Sequence, residues 1–228
     1  MITEAQYESL FAFCRKHYVQ YYDVQVELVD HLSEAIEEKM KANPKLSFEQ
    51  ALDSVYAGFG IKGFADIVAT REKMVSKQCR KQRWKLFFSY FTLPKVAMTI
   101  CLYAILLFLG KFLAQDLHRI ILLSAIGLSL IIFEIIHSLK TAKLFKKQIK
   151  AMLYTSDRLN GLISSSIFIQ LMLSSRISKV LDLNEITYFD YAMVSFILVL
   201  IYVSILAHRD FVKELYKNAI QQYPNAFA

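Results

Sequence analysis

The chain has 228 residues, 55% of them hydrophobic, a formal net charge of +7 at pH 7 and a mean hydropathy of +0.34. It is therefore more apolar than an ordinary water-soluble domain. Residues 1–75 carry 8 Lys/Arg and 12 Asp/Glu, whereas residues 76–158 carry 14 and 3. Because the basic excess lies beside apolar segments, it favours an anionic membrane surface over a nucleic-acid groove as its partner.

The sequence lacks the short motifs that are typical of several classes of enzyme and metal-binding protein. Cys14, Cys79 and Cys101 have no metal-ligand spacing, and their odd number and scatter predict no disulfide framework. There is no nucleophile elbow, P-loop, glycine-rich dinucleotide turn or zinc signature. We therefore expect a protein that is not an enzyme and has no cofactor or metal. The opening MITEAQYESL lacks a basic n-region and an apolar h-region, which predicts that no signal peptide is cleaved.

Residues 1–75 predict a small cytosolic all-helical domain with an acidic outside. Capping boxes at Thr3 and Ser47 mark the starts of the first and third helices. Asp23 is expected as the N-cap of the second helix, which ends before Asn43-Pro44. A domain this small is marginal alone, so we expect it to dock on the rest of the chain. Helical spacing predicts a core of Tyr7, Leu10, Phe11, Cys14, Tyr18, Val24, Leu28, Leu32, Ala35, Ile36, Met40, Phe48, Leu52, Val55, Tyr56, Phe64, Ile67, Val68 and Met74.

Four apolar runs follow a basic connector at residues 76–92. They cover about residues 93–113, 120–139, 159–175 and 188–206. A helix of about 20 apolar residues crosses a bilayer. The expected fold class is therefore all-α, with the small N-terminal domain preceding a four-helix transmembrane bundle. Ser164, Ser165, Ser166 and Gln170 are expected to make the third run the most central, because polar residues in membrane helices usually face other helices.

The segments outside these runs alternate in their content of Lys and Arg. The basic ones are the connector, the loop at residues 140–158 and the tail at residues 207–228, which is expected to be amphipathic. Cytoplasmic loops are the ones enriched in Lys and Arg. We therefore expect a multi-pass protein of the bacterial inner membrane, with four crossings and both termini in the cytosol.

Two ionisable side chains lie well inside an apolar run. Glu134 and His137 are three residues apart and share one face of a helix. Such groups are candidates for function, with Gln170 as a hydrogen-bond partner. Alternatively, both lie within about two turns of the cytoplasmic boundary at Lys140 and simply reach the interface.

The predicted second helix is crowded with acidic residues. Glu27 and His31, like Asp30 and Glu34, are four residues apart, a spacing with which either pair could face a metal. No other helix offers an Asp/Glu-x-x-His pattern to complete such a site. A solvated acidic face, or a docking face for a basic partner, is the simpler interpretation. The residues assigned to partner binding are Glu27, Asp30, His31, Glu34 and Glu38.

The stretch KLFKKQIKAML alternates lysines with apolar residues at helical spacing. It predicts a basic amphipathic helix at an anionic lipid surface. The alternative is a positive-inside loop without specific lipid binding. The lysines assigned to the lipid surface are Lys143, Lys146, Lys147 and Lys150.

The stretches YYDVQVELVDHLSEAIEEKM, SFEQALDSVYAGFG and GFADI resemble the HAAS family of small helical signalling domains, which are often fused to membrane helices. The likeness covers about residues 3–72 and rests on the Glu-Leu-x-Asp-His core from Glu27 to His31 and on Phe59-Gly60. Ile61-Lys62-Gly63 replaces the usual Asp-Pro after that glycine. The resemblance implies no catalytic residues and an association with PadR-type winged-helix transcription regulators.

These features predict a membrane regulatory or signalling protein that binds a cytosolic partner through its N-terminal domain. It would not contact nucleic acid directly, and an oligomer is compatible with the pattern. The alternative is an accessory or core subunit of a small transporter or envelope machine that uses Glu134 and His137. An integral lipid-modifying enzyme is the third interpretation.

Overall fold

The computed structural model describes residues 2–113, 116–145, 150–156 and 188–227. Every regular element in those residues is helical, which confirms the all-α class for this part of the chain. The helices are α1 (Glu4–Lys16), α2 (Tyr22–Ala42), α3 (Phe48–Ala57), α4 (Ala65–Ser89), α5 (Lys95–Phe112), α6 (Asp116–Phe145), α7 (Leu153–Ser156) and α8 (Tyr188–Gln222), followed by a 3-10 turn at Pro224–Ala226. The predicted third run, with Gln170, lies outside the described residues, as do Lys146 and Lys147.

The chain divides into two compact units. The first combines Met1–Gln78 with Lys147–Asp157 and Asn218–Ala228. The second combines Cys79–Lys146 with Arg158–Lys217. The first unit therefore adds two segments from far along the chain to the N-terminal helices, which sequence periodicity did not predict.

Helices α1 and α3 begin where the two capping boxes predict. The Thr3 hydroxyl accepts from the backbone N–H of Gln6 at 3.3 Å, and the Gln6 side chain accepts from the backbone N–H of Thr3 at 2.9 Å. Ser47 and Gln50 make the same reciprocal pair at 3.2 and 3.1 Å. Each box satisfies amides that the first helical turn leaves open. Both helices pack on α2, which is the central helix of the first unit.

The apolar residues facing α2 form the core of the first unit much as predicted. The predicted core residues that are buried are Leu10, Phe11, Cys14, Val24, Leu28, Leu32, Ile36, Phe48, Leu52 and Phe64. Three predicted core residues are exposed instead: Tyr18, Ile67 and Met74. Helix α1 ends at Lys16, and Tyr18 has a left-handed φ of +66°, so its side chain leaves the α1 stripe and is 88% exposed. The buried face of α4 is carried by Val75 and Cys79, not by Ile67 and Met74.

Three described helices are long and apolar enough to cross a membrane. They are α5, the Ile121–Lys143 part of α6, and α8. They correspond to the first, second and fourth predicted runs. Helix α6 continues to Phe145 and α8 to Gln222, so the start of the predicted loop 140–158 and most of the tail 207–228 are helical. Neither extension contains a Gly or Pro that would end a helix.

Helices α5 and α8 approach closely at Gly110. A Cβ at this position would collide with the ring of Tyr191. Tyr191 is fully buried, and its hydroxyl donates to the carbonyl oxygen of Leu106 at 2.7 Å. The missing side chain of Gly110 therefore makes room for the ring and its hydrogen bond. Of the three apolar helices, α8 is the most enclosed, with 39% of its apolar stretch buried against 11% for α5 and 6% for α6.

Candidate functional site

The acidic residues of α2 divide into those tied to other helices and those facing solvent. Glu27 is half-buried, and its carboxylate lies 3.1 Å from the guanidinium of Arg71 on α4. Glu37 accepts from the backbone N–H of Ile2 at 2.8 Å, and this bond lowers the pKa of Glu37. Glu27 and Glu37 thus contribute to the internal contacts of the first unit. The exposed members of the predicted partner-binding set are Asp30, His31, Glu34 and Glu38, which we call the acidic face.

Asp30 connects the acidic face to α1. Its carboxylate accepts from the hydroxyl of Tyr7 at 2.7 Å. Burial, and after it this hydrogen bond, raise the pKa of Tyr7 to about 12. This hydrogen bond joins α1 to α2 at the edge of the acidic face.

A metal site on α2 receives no support from the geometry. Among the described residues, no group of three or more His, Cys, Asp and Glu side chains is placed to hold a metal ion. Glu27, a member of the Glu27/His31 pair, already faces the positive charge of Arg71. A cation at that position would have to compete with the guanidinium for the same carboxylate.

The first turn of α2 is tied to a distant segment of the same unit. Asp23 is not the N-cap of α2; Tyr21 holds that position, and Asp23 is the second residue of the helix and is buried. Its carboxylate accepts from the backbone N–H of Leu153 at 2.8 Å. Leu153 opens α7, so Asp23 caps a different helix from the one predicted. The backbone N–H of Tyr22 donates to the carbonyl oxygen of Ala151 at 2.7 Å, which satisfies an amide that the first turn leaves open.

Residues 223–227 complete this contact. The ring of Tyr223 meets that of Tyr22 edge-on, with 6.4 Å between centroids. The backbone N–H of Lys150 donates to the carbonyl oxygen of Ala226 at 3.5 Å. Met152, Leu153, Thr155 and Ala226 are buried. We call Tyr22, Asp23 and residues 150–156 and 223–227 the junction.

Two of the lysines assigned to the lipid surface can be placed. The ammonium of Lys150 lies 4.1 Å from the centroid of the Tyr22 ring, so it contacts an aromatic face within the junction. Lys143 is exposed near the end of α6. Both lysines are exposed, and Lys150 also makes a contact within the first unit.

Within the second unit, the candidate intramembrane pair has an unpredicted neighbour. Glu134 and His137 are both half-buried on α6. The ring of His137 lies 6.5 Å from the ring of His208 on α8, edge to face. His208 is buried, and its Nε2 has no hydrogen-bond partner in the part of the chain that the structure describes. Sequence reasoning missed His208 because it lies just beyond the predicted end of the fourth run; the absence of a helix breaker there was the available signal.

Polar contacts join the chain between α4 and α5 to the same region of α8. The Tyr90 hydroxyl donates to the carboxylate of Asp210 at 2.6 Å. Burial, and then this bond, raise the pKa of Tyr90 to about 12. The ammonium of Lys95 lies 4.2 Å from the Tyr90 ring centroid, and the guanidinium of Arg83 lies 5.5 Å from that of Phe211. These contacts fix the end of α4 and the start of α5 against α8.

No protein-family model matches the chain, and neither a curated protein nor a solved structure matches it significantly. Its function is therefore inferred from its own residues and contacts.

Proposed function

We propose that the protein is a non-enzymatic regulatory or signalling protein of the bacterial inner membrane that binds a cytosolic protein through the acidic face of α2. The observation that carries the proposal is the double role of this helix. Its first turn holds the other segments of the junction through Tyr22 and Asp23, whereas the acidic face is exposed. A partner on that face would bind the same helix that holds residues 150–156. Those residues lie in the segment between the second and third apolar runs.

In this proposal the chain crosses the membrane four times, with both termini in the cytosol. The three apolar helices would be joined by the run at residues 159–175, and the basic segments would lie inside. Single cysteines at Asp116 and Asp182, in a background without the native cysteines, should react with an impermeant thiol reagent added to intact cells. A cysteine at Lys147 should not. Labelling at Lys147 from outside would overturn this topology.

The chemistry of the acidic face indicates a partner with a basic surface. Asp30, Glu34 and Glu38 lie at helical spacing on α2 and repel anionic nucleic acid, whereas they complement Lys and Arg on a protein. The resemblance to HAAS domains falls on the same helix. It makes a PadR-type winged-helix transcription regulator the first candidate.

Site-specific photocrosslinking in cells tests this interface on the full chain. A photoreactive residue at Glu34 should capture one cytosolic protein, which mass spectrometry identifies. The same residue at Glu49, an exposed position on α3, is the positional control. Reversing the charge of Glu38 should weaken the adduct, whereas reversing that of Asp53, an exposed carboxylate on α3, should leave it unchanged. Identical adducts at positions 34 and 49, or no protein adduct at position 34, would refute binding at the acidic face.

A second candidate function is a subunit of a small transporter or envelope machine. The observation that favours it is that His208 of α8 is buried beside His137 of α6. Glu134 lies on α6 as well. Ionisable groups clustered between membrane helices often relay protons. Proteoliposomes with an imposed pH gradient and an enclosed pH dye would then show proton flux. That flux should be lost in Glu134→Gln, His137→Gln and His208→Gln. No flux through the unmodified chain would remove this candidate and leave the first.

A further inference from the structure

The second half of α4 has two different faces. One face packs within the second unit, where Cys79 is buried and Arg83 lies over the Phe211 ring. The other face carries three cations and two aromatic side chains, all exposed. They are Arg80, Lys81, Trp84, Lys85 and Phe88. Their spacing of three and four residues places them together along one side of the helix.

The two aromatic side chains of this face form a compact apolar surface. Trp84 is 55% exposed and Phe88 is 59% exposed. Their rings stack with 5.6 Å between centroids and an interplanar angle of 25°. Phe87 continues the cluster, since its ring meets that of Trp84 edge-on at 5.7 Å. Stacked aromatic side chains left in water are unfavourable, and Trp is enriched where membrane meets water.

The cations lie beside these rings at the entrance to an apolar helix. Lys81 and Lys85 are one turn apart and flank Trp84, and Arg80 lies one turn before Trp84. Helix α4 ends one residue after Phe88, at Ser89, and α5 begins at Lys95. Basic residues next to a membrane helix attract anionic headgroups. The aromatic rings of this face thus suit the boundary between headgroups and acyl chains, and its cations suit the lipid phosphates.

We propose that Arg80, Lys81, Trp84, Lys85 and Phe88 form a binding face for anionic phospholipids of the membrane that holds α5. The aromatic rings occupy the boundary between headgroups and acyl chains, and the cations contact lipid phosphates. This lipid face lies on α4, outside the lysines of residues 143–150 that the sequence pattern assigned to lipid. It does not depend on the partner proposed for the acidic face of α2.

The chain contains a natural reporter for this test. Trp84 is its one tryptophan, so the intrinsic tryptophan fluorescence of the full protein comes from the lipid face alone. Lipid vesicles, which contain no scaffold protein with its own tryptophans, would hold the full chain in a mixture of phosphatidylglycerol and phosphatidylcholine. Bromine atoms near the headgroup end of the acyl chains would be placed on one lipid or on the other. We expect both to quench Trp84, with quenching at least about twofold stronger when the anionic lipid carries the bromine.

Charge variants distinguish lipid selectivity from simple proximity to a bilayer. Lys81→Gln/Lys85→Gln should keep the quenching but remove the preference for the brominated anionic lipid. Lys213→Gln/Lys217→Gln, an exposed pair with the same spacing on α8, should keep the preference. Three outcomes overturn the proposal: equal quenching by both brominated lipids in the unmodified chain, loss of preference in both variants, or no quenching at all, which would mean that protein covers Trp84.

Discussion

The carboxylate of Asp23 and the backbone N–H of Leu153 are separated by 130 positions in sequence and by 2.8 Å in the structure. Asp23→Ala removes this charged acceptor from a buried amide, so we expect the free energy of unfolding to fall by about 1–3 kcal/mol. Thermal unfolding of the full chain, and the rate of proteolysis within residues 150–156, would measure the loss. Asp53→Ala on α3 removes an exposed carboxylate and is the control, with an expected change within about 0.5 kcal/mol. Equal effects of the two substitutions would mean that the contact does not stabilise the junction.

Gly110 and Gly127 provide a matched pair for the packing of the apolar helices. Gly110→Ala would drive its methyl group into the Tyr191 ring and disturb the bond from Tyr191 to Leu106. We expect a loss of about 1–3 kcal/mol, as for other overpacked sites. At Gly127 an added Cβ would lie 3.9 Å from Leu198, an ordinary contact, and Ala also has the higher helix propensity. Thermal unfolding in detergent should rank Gly127→Ala at or above the unmodified chain and Gly110→Ala well below it; the reverse order would contradict this packing.

The thiol of Cys14 makes the stability of the first unit sensitive to alkaline pH. Burial raises its pKa from the ordinary value of 9.0 to about 11. The thiol of the unfolded chain ionises near pH 9, whereas the folded thiol stays neutral to near pH 11. The folded state therefore binds the extra proton in this window, and its stability should fall as pH rises through it, by up to about 2–3 kcal/mol, with no contribution below pH 9.

Cys14→Ala removes this contribution and is compared with the unmodified chain across the same pH range. The difference in unfolding free energy between them should stay constant below pH 9 and shrink above it. Tyr7 titrates at still higher pH and is present in both chains, so it does not affect the comparison. A constant difference up to pH 11 would show that the thiol is not desolvated.

Leu32 tests the core of the first unit independently of its surface. It is buried in the middle of α2. Leu32→Asp places an unpaired carboxylate among apolar side chains, a cost of several kcal/mol that a marginally stable unit should not survive. Leu32→Met keeps the volume and should cost less than about 1.5 kcal/mol. Circular dichroism of the full chain and reactivity of Cys14 towards thiol reagents would both detect the unfolding, and an intact Leu32→Asp chain would contradict the assigned core.

The sequence predicted those structural features that are determined by residues close together in the chain. The capping boxes at Thr3 and Ser47 act over three residues, and the apolar runs of α5, α6 and α8 are continuous, so both were visible without a structure. The junction was not visible, because the backbone N–H that donates to Asp23 belongs to Leu153 and lies beyond two apolar helices. Nothing near Asp23 distinguishes a carboxylate that caps its own helix from one that caps another. His208 was not predicted as part of the site for the same reason, because it is a candidate only through its contact with the ring of His137 on a different helix.

The junction also has a consequence for the order in which the protein is made. Domains at the N-terminus usually fold first during synthesis. Here Tyr22 and Asp23 emerge early, whereas Leu153 and Tyr223 are added only after two and three of the apolar helices, respectively. The contacts of Tyr22 and Asp23 within the junction therefore cannot form until those apolar helices have been synthesised. A first unit that contains all of its junction contacts is therefore found only in chains whose apolar helices have already been synthesised.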